Sequence, residues 1–144
     1  MSIRVESISR SSLLEMITEA EGDRLTEEHA RYFDEFIRAA TTTWVGLIDE
    51  KLIGAIGLIP PSLLSDRTYI WFYHSPELVQ DHVFMFVRHS QRVVEELLKE
   101  YSVLYGHTEV RAKQSIRWLR WLGAEYGQPE GKMIPFVIRK KNND

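Results

Sequence analysis

The chain has 144 residues, with 44% hydrophobic and 11% aromatic side chains, which is enough for one compact core, and no second domain is expected. It has no cysteine, so a disulfide framework, a thiolate metal site and a cysteine nucleophile are all excluded. The formal net charge of −3 is uneven: residues 1–50 hold 5 Lys+Arg against 11 Asp+Glu, whereas residues 110–141 hold 8 basic and 2 acidic residues.

In chain order, Ile3, Val5 and Ile8 alternate with polar residues as in a half-buried strand. Ser11 or Ser12 caps a helix carrying Leu13, Leu14, Met16, Ile17 and Ala20, which ends at Glu21-Gly22-Asp23. Thr26 caps a second helix with Glu27 and Glu28 in its first turn and an apolar face of Ala30, Phe33, Phe36, Ile37 and Ala40. Trp44–Ile48 and Leu52–Ile59 form a hairpin around Asp49-Glu50-Lys51, and Pro60-Pro61 ends its second strand.

The aromatic run Tyr69–His74 is the central strand, and Ser75-Pro76-Glu77 opens a long helix with Ser75 as N-cap and Pro76 at its first position. Val79, Val83, Phe86, Val87, Val93, Val94, Leu97 and Leu98 recur at three- and four-residue steps and lay one apolar stripe along it. Ser102–His107 is a short strand, followed by a helix capped by Thr108 with Ile116, Leu119 and Leu122 inward and Gly123 as its left-handed C-terminal residue. Residues 124–127 and 132–139 close as a hairpin around Gln128-Pro129-Glu130-Gly131. The expected organisation is one α/β (α+β) domain over residues 1–139, in the order β-α-α-β-β-β-α-β-α-β-β, with a frayed basic tail at 140–144.

The N-terminus has no signal-peptide pattern, and no apolar run approaches the roughly 18 to 20 residues that span a bilayer, so a soluble cytoplasmic protein without membrane contact is expected. Lys113, Arg117 and Arg120 share one helical face. A solvated surface is the plain reading, since no aromatic reader motif accompanies them, and nucleic acid is not the expected partner. His82 and His89 lack carboxylates at ligand spacing, so no metal site is expected. Trp118 and Trp121 cannot both share the buried face of the last helix, which leaves one for a partner or dimer contact.

The order of elements and the segment Ser115-Ile116-Arg117-Trp118-Leu119-Arg120-Trp121-Leu122-Gly123-Ala124, similar to the family's A-I-R-L-Y-E-K-L-G-F stretch, resemble the GNAT acetyltransferase superfamily. In its Leu122-Gly123-Ala124 form the segment is also similar to the acetyltransferase-like internal virion protein A family of short-tailed phages, which would place the protein in host cytoplasm or virion. The resemblance implies a mixed, mostly antiparallel sheet in which the strand from Val103 runs parallel to Tyr69–His74. It also implies an acyl-CoA cleft where those strands splay, with acetyl-CoA as cofactor and an amine on a small molecule or protein as acceptor.

On that resemblance His74, His107 and Glu109 are the candidate catalytic groups. Trp71, Phe72, Tyr73, Ser75 and Arg111 are the candidate cofactor contacts. Strand tyrosines are more ordinarily core residues with a hydrogen-bonded tip, and a histidine at a strand end is more ordinarily a surface residue. The chain departs from the family pattern at three places. His74–Gln80 has no glycine to curl around a pyrophosphate, and Pro76 and Glu77 remove a donor and add negative charge; Leu119 replaces the proton-donating tyrosine; and Ala112 stands near the expected asparagine. These departures predict weak acetyl-CoA binding and leave two readings open: an N-acetyltransferase, or a non-catalytic binding or virion-associated protein that keeps the fold.

Overall fold

The computed structural model describes residues 4–62, 64–75 and 83–140. Its strands are β1 (Arg4–Ser7), β2 (Thr42–Ile48), β3 (Lys51–Ile59), β4 (Arg67–His74), β5 (Val103–Glu109), β6 (Glu125–Tyr126) and β7 (Met133–Arg139). The helices are α1 (Arg10–Glu21), α2 (Glu27–Ala39), α3 (Val83–Glu100) and α4 (Lys113–Trp121), with a 3₁₀ turn at Gly22–Arg24. The strands form a mixed sheet in the order β1-β2-β3-β4-β5-β7-β6. Pairing is antiparallel for β1 with β2, β2 with β3, β5 with β7 and β6 with β7, and parallel for β4 with β5, as expected. The chain divides into two compact units, Met1–Ile59 with Trp71–His89 and Pro60–Ile70 with Ser90–Asp144.

In the first unit, β3 is buried along nearly its whole length, as the uninterrupted apolar run from Leu52 to Leu58 requires of a strand covered on both faces. Ala would not fit at two of its positions. A Cβ on Gly57 would lie 2.1 Å from the Trp71 indole nitrogen, and one on Gly54 would lie 2.4 Å from a Phe86 ring carbon, so the two glycines make room for these rings. Leu13 and Ile17 of α1 and Ile37 of α2 complete the buried set with Val45 and Leu47 of β2. The β2–β3 turn uses Asp49 and Glu50, both at positive φ (51° and 65°), which matches the twist of a two-residue hairpin.

The caps of α1 and α2 correct one expectation and bear out another. Ser9, not Ser11 or Ser12, caps α1, because its side chain accepts from the Ser12 amide at 3.4 Å and its own extended backbone ends the preceding strand segment. Thr26 caps α2 as expected and accepts from the His29 amide at 3.1 Å. The predicted start of the long helix at Ser75–Gln80 falls largely outside the described residues.

In the second unit, Leu104, Phe136, Ile138 and Ile70 are buried together with Val94 and Leu97 of α3 and Leu119 of α4. Trp118 is held by its indole NH, which donates to the buried Ser90 hydroxyl at 2.9 Å and links α4 to α3. Trp121 is 54% exposed, so the two tryptophans divide as the helical spacing required. Thr108 does not cap α4. β5 continues through it to Glu109, and the cap position is Ala112, which has no side chain able to accept an amide proton. Gly123 has φ 100° beyond the end of α4, the left-handed geometry expected there.

Candidate functional site

Three residue pairs of β4 and β5 set the geometry of the site. The parallel ladder pairs Arg67 with Val103, Thr68 with Leu104 and Tyr69 with Tyr105, and among the described residues it has no further pair, although β5 runs on to Glu109. On its other edge β5 pairs with β7 throughout, with Pro135 opposite His107. Pro135 has no amide hydrogen, and its carbonyl accepts from the Gly127 amide at 3.0 Å, so its backbone faces away from β5. In an antiparallel ladder, alternate pairs exchange hydrogen bonds. His107 therefore sits in a pair that does not, and its own NH and C=O point away from β7. Gly106 lets the strands come close there: a Cβ on it would lie 2.4 Å from the Ile70 carbonyl oxygen.

Side chains alternate along β5, so Tyr105, His107 and Glu109 share one face. The other face holds Leu104 and Gly106, both buried. His107 and Glu109 are exposed. The Tyr69 hydroxyl lies 3.3 Å from His107 Nδ1, and the two rings are 5.8 Å apart. Tyr69 meets Tyr105 edge to face at 5.5 Å, and the Arg67 guanidinium sits 5.3 Å above the Tyr105 ring. The result is a row of fixed aromatic rings ending in an exposed imidazole, with an exposed carboxylate two residues further along. Arg111 is exposed in the turn after β5, where the Val110 amide donates to the Lys132 carbonyl at 2.8 Å. Tyr69 was not singled out from the sequence, because only the parallel register shows that it stands beside Tyr105 and reaches His107.

The remaining candidates belong to the first unit. Trp71 is buried over Gly57, and its indole NH has no hydrogen-bond partner among the described residues. Tyr73 is buried against Phe33, with ring centroids 5.6 Å apart, and its hydroxyl donates to a Glu21 carboxylate oxygen at 2.8 Å. Burial pushes this phenol well above its ordinary range, and the Glu21 carboxylate, as acceptor and as negative charge, pushes it further, while Arg24 opposes the shift. Tyr73 is thus a neutral donor with its tip already engaged. The side chains of Trp71 and Tyr73 serve packing. Phe72 and His74 are half-buried.

Ser75 is only 2% exposed, its amide donates to the Ile53 carbonyl at 2.8 Å, and its hydroxyl has no partner among the described residues. It borders a cavity of about 200 Å³ that Glu19, Glu50 and Lys51 also line. Among the described residues, no three His, Asp or Glu side chains are grouped to hold a metal ion, and no helix is long and apolar enough to cross a membrane.

Neither a family model nor a curated protein matches the sequence. Solved structures do match it along almost its whole length. One is described as a GNAT-family acetyltransferase from Desulfovibrio desulfuricans, with a TM-score of 0.72 at 12% identity, covering 96% of this chain and 99% of that one. The fold is that of the GNAT acetyltransferases. A spermidine N-acetyltransferase chimera that includes the Vibrio cholerae enzyme matches with a TM-score of 0.69 at 15% identity and covers 96% of each chain. An acetyltransferase from Bacillus cereus matches at 0.66 and 15% identity, covering 96% of this chain and all of that one. The parallel β4–β5 pair and the α4–Gly123 corner predicted from the sequence are therefore parts of a GNAT fold, at identities where the shared property is the fold itself.

Proposed function

We propose that this protein transfers an acyl group from an acyl-CoA thioester to an amine. The observation that carries this reading is the exposed His107 and Glu109 on β5, at the point where the ladder to β4 has ended, within a fold shared with acetyltransferases. An amide-bearing chain such as pantetheine can pair with backbone groups of a strand, and those of His107, which turn away from β7, are the ones proposed to receive it. Arg111 is an exposed cation suited to a phosphate. In the reaction the amine nitrogen attacks the thioester carbonyl carbon, a C–N bond forms, the C–S bond breaks and the CoA thiolate leaves with a proton. His107 and Glu109 are the groups placed to exchange protons with the amine and the carbonyl oxygen. The acceptor is an amine on a small molecule or a protein, and the phage-like segment Ser115–Ala124 makes host cytoplasm or a virion the proposed setting.

The test is amine-dependent release of CoA thiol. With millimolar acetyl-CoA and a panel of primary amines that includes polyamines and lysine peptides, turnover should appear with at least one acceptor and fall about 100-fold in Glu109→Gln, within the range ascribed to a single general acid or base. Calorimetry should give an acetyl-CoA Kd weaker than about 100 μM, because Pro76 and Glu77 forgo charge-assisted contacts worth roughly 1.5 to 3 kcal/mol each, and tenfold in affinity is about 1.4 kcal/mol. No thiol release with any amine would overturn the proposal.

A further inference from the structure

We infer that Tyr69 is a positioning residue for His107, fixing the imidazole with its proton on Nε2, so that His107 serves the site as a hydrogen-bond donor and not as a base. The consequence for catalysis rests on the acyl-transfer reading. The geometry does not.

The Tyr69 hydroxyl lies 3.3 Å from Nδ1 of His107, two residues beyond the strand partner of Tyr69. Tyr69 has little freedom to turn away: it pairs in register with Tyr105, packs against that ring edge to face, and Tyr105 is itself held under the Arg67 guanidinium. A phenol is protonated near neutral pH and is a strong O–H donor, whereas the pyridine-type nitrogen of a neutral imidazole is a strong acceptor. The favoured arrangement is therefore phenol O–H donating to Nδ1. A neutral imidazole carries a single proton, so it then resides on Nε2. In that state His107 cannot take a proton from an amine. It can donate to an oxygen on which negative charge develops, as the thioester carbonyl does when the amine attacks. Removing the amine proton then falls to another group, and Glu109, exposed on the same face of β5, is the carboxylate placed for it.

The test is a long-range ¹H–¹⁵N correlation spectrum of the imidazoles in the full chain at about pH 8.5, roughly two units above the reference value for histidine. His107 is assigned by the signal lost in His107→Gln. In the wild type, Nδ1 should report an unprotonated, hydrogen-bonded nitrogen and Nε2 a protonated one. Tyr69→Phe should raise the population with the proton on Nδ1 several-fold. A wild-type His107 protonated on Nδ1 would overturn the inference, as would a tautomer balance identical in wild type and Tyr69→Phe. The wild-type spectrum decides the tautomer even if the variant does not fold. Neither readout requires turnover, so an inactive protein with the expected tautomer would sink the acyl-transfer reading while leaving the role of Tyr69 intact. If amine acetylation is found, Tyr69→Phe should lower kcat about tenfold with KM little changed.

Discussion

β3 and β5 each carry a glycine at a point of close approach, yet the two strands use it to different ends. In β3 the space over Gly57 is filled by the Trp71 ring, and the strand is buried from Leu52 to Leu58. In β5 the space at Gly106 admits the Ile70 carbonyl and the Phe136 ring on the buried side, while Tyr105, His107 and Glu109 stand on the other face, the last two exposed. A strand buried on both faces has no position left at which a polar group can meet a ligand. A strand buried on one face keeps every second residue available, and its rigid side fixes where those residues point.

The largest effect should come from removing the two close approaches. Gly57→Ala puts a methyl group into the buried Trp71 ring and should cost about 3 kcal/mol, the upper part of the range for overpacking, seen as a lower denaturant midpoint. Gly106→Ala meets a backbone oxygen and should cost a similar amount, about 2 to 3 kcal/mol. Only Gly106→Ala should also disturb the Tyr69–His107 contact, so imidazole shifts of His107 that stay unchanged in that variant would break the contrast between the strands.

Tyr73→Phe should have a smaller effect, about 1.5 kcal/mol, since it removes a hydrogen bond to the Glu21 carboxylate but leaves the ring packed on Phe33. Its pH signature is distinctive. The folded phenol titrates above its unfolded value of about 10, so the folded state holds the proton more tightly, the stabilisation is complete below pH 10, and it is lost as pH rises beyond that. Wild-type stability should therefore decline more steeply above pH 10 than that of Tyr73→Phe. Parallel alkaline unfolding curves would show that the Glu21 contact is not formed in solution.

The smallest effect is expected on α4, where Lys113→Glu with Arg117→Glu should change stability by no more than about 0.5 kcal/mol each. Tight DNA binding at physiological salt that this double variant abolishes would show that the basic face is a working surface.

Much of the fold was legible because it rests on local rules. The 3.6-residue spacing marked the helices, Thr26 and Gly123 marked two helix ends, and the apolar run Leu52–Ile59 marked a strand of a hairpin. Cap positions were less secure, since several serines stand within reach of the start of α1 and only backbone geometry selects Ser9. His107 could be named from the sequence because it closes a strand, and Glu109 as a carboxylate near it; that β5 runs on to Glu109 and puts the two on one face is seen only in the structure. Their partners could not be named. That Tyr69 reaches His107, that Tyr73 is engaged by Glu21 and that Trp118 rests on Ser90 depends on strand register and helix packing between residues 38, 52 and 28 positions apart. A periodic pattern reports which side of its own element a residue occupies. It carries no information about which distant element meets that side, because that is set by the summed burial of the whole core, and here the tertiary structure alone decided it.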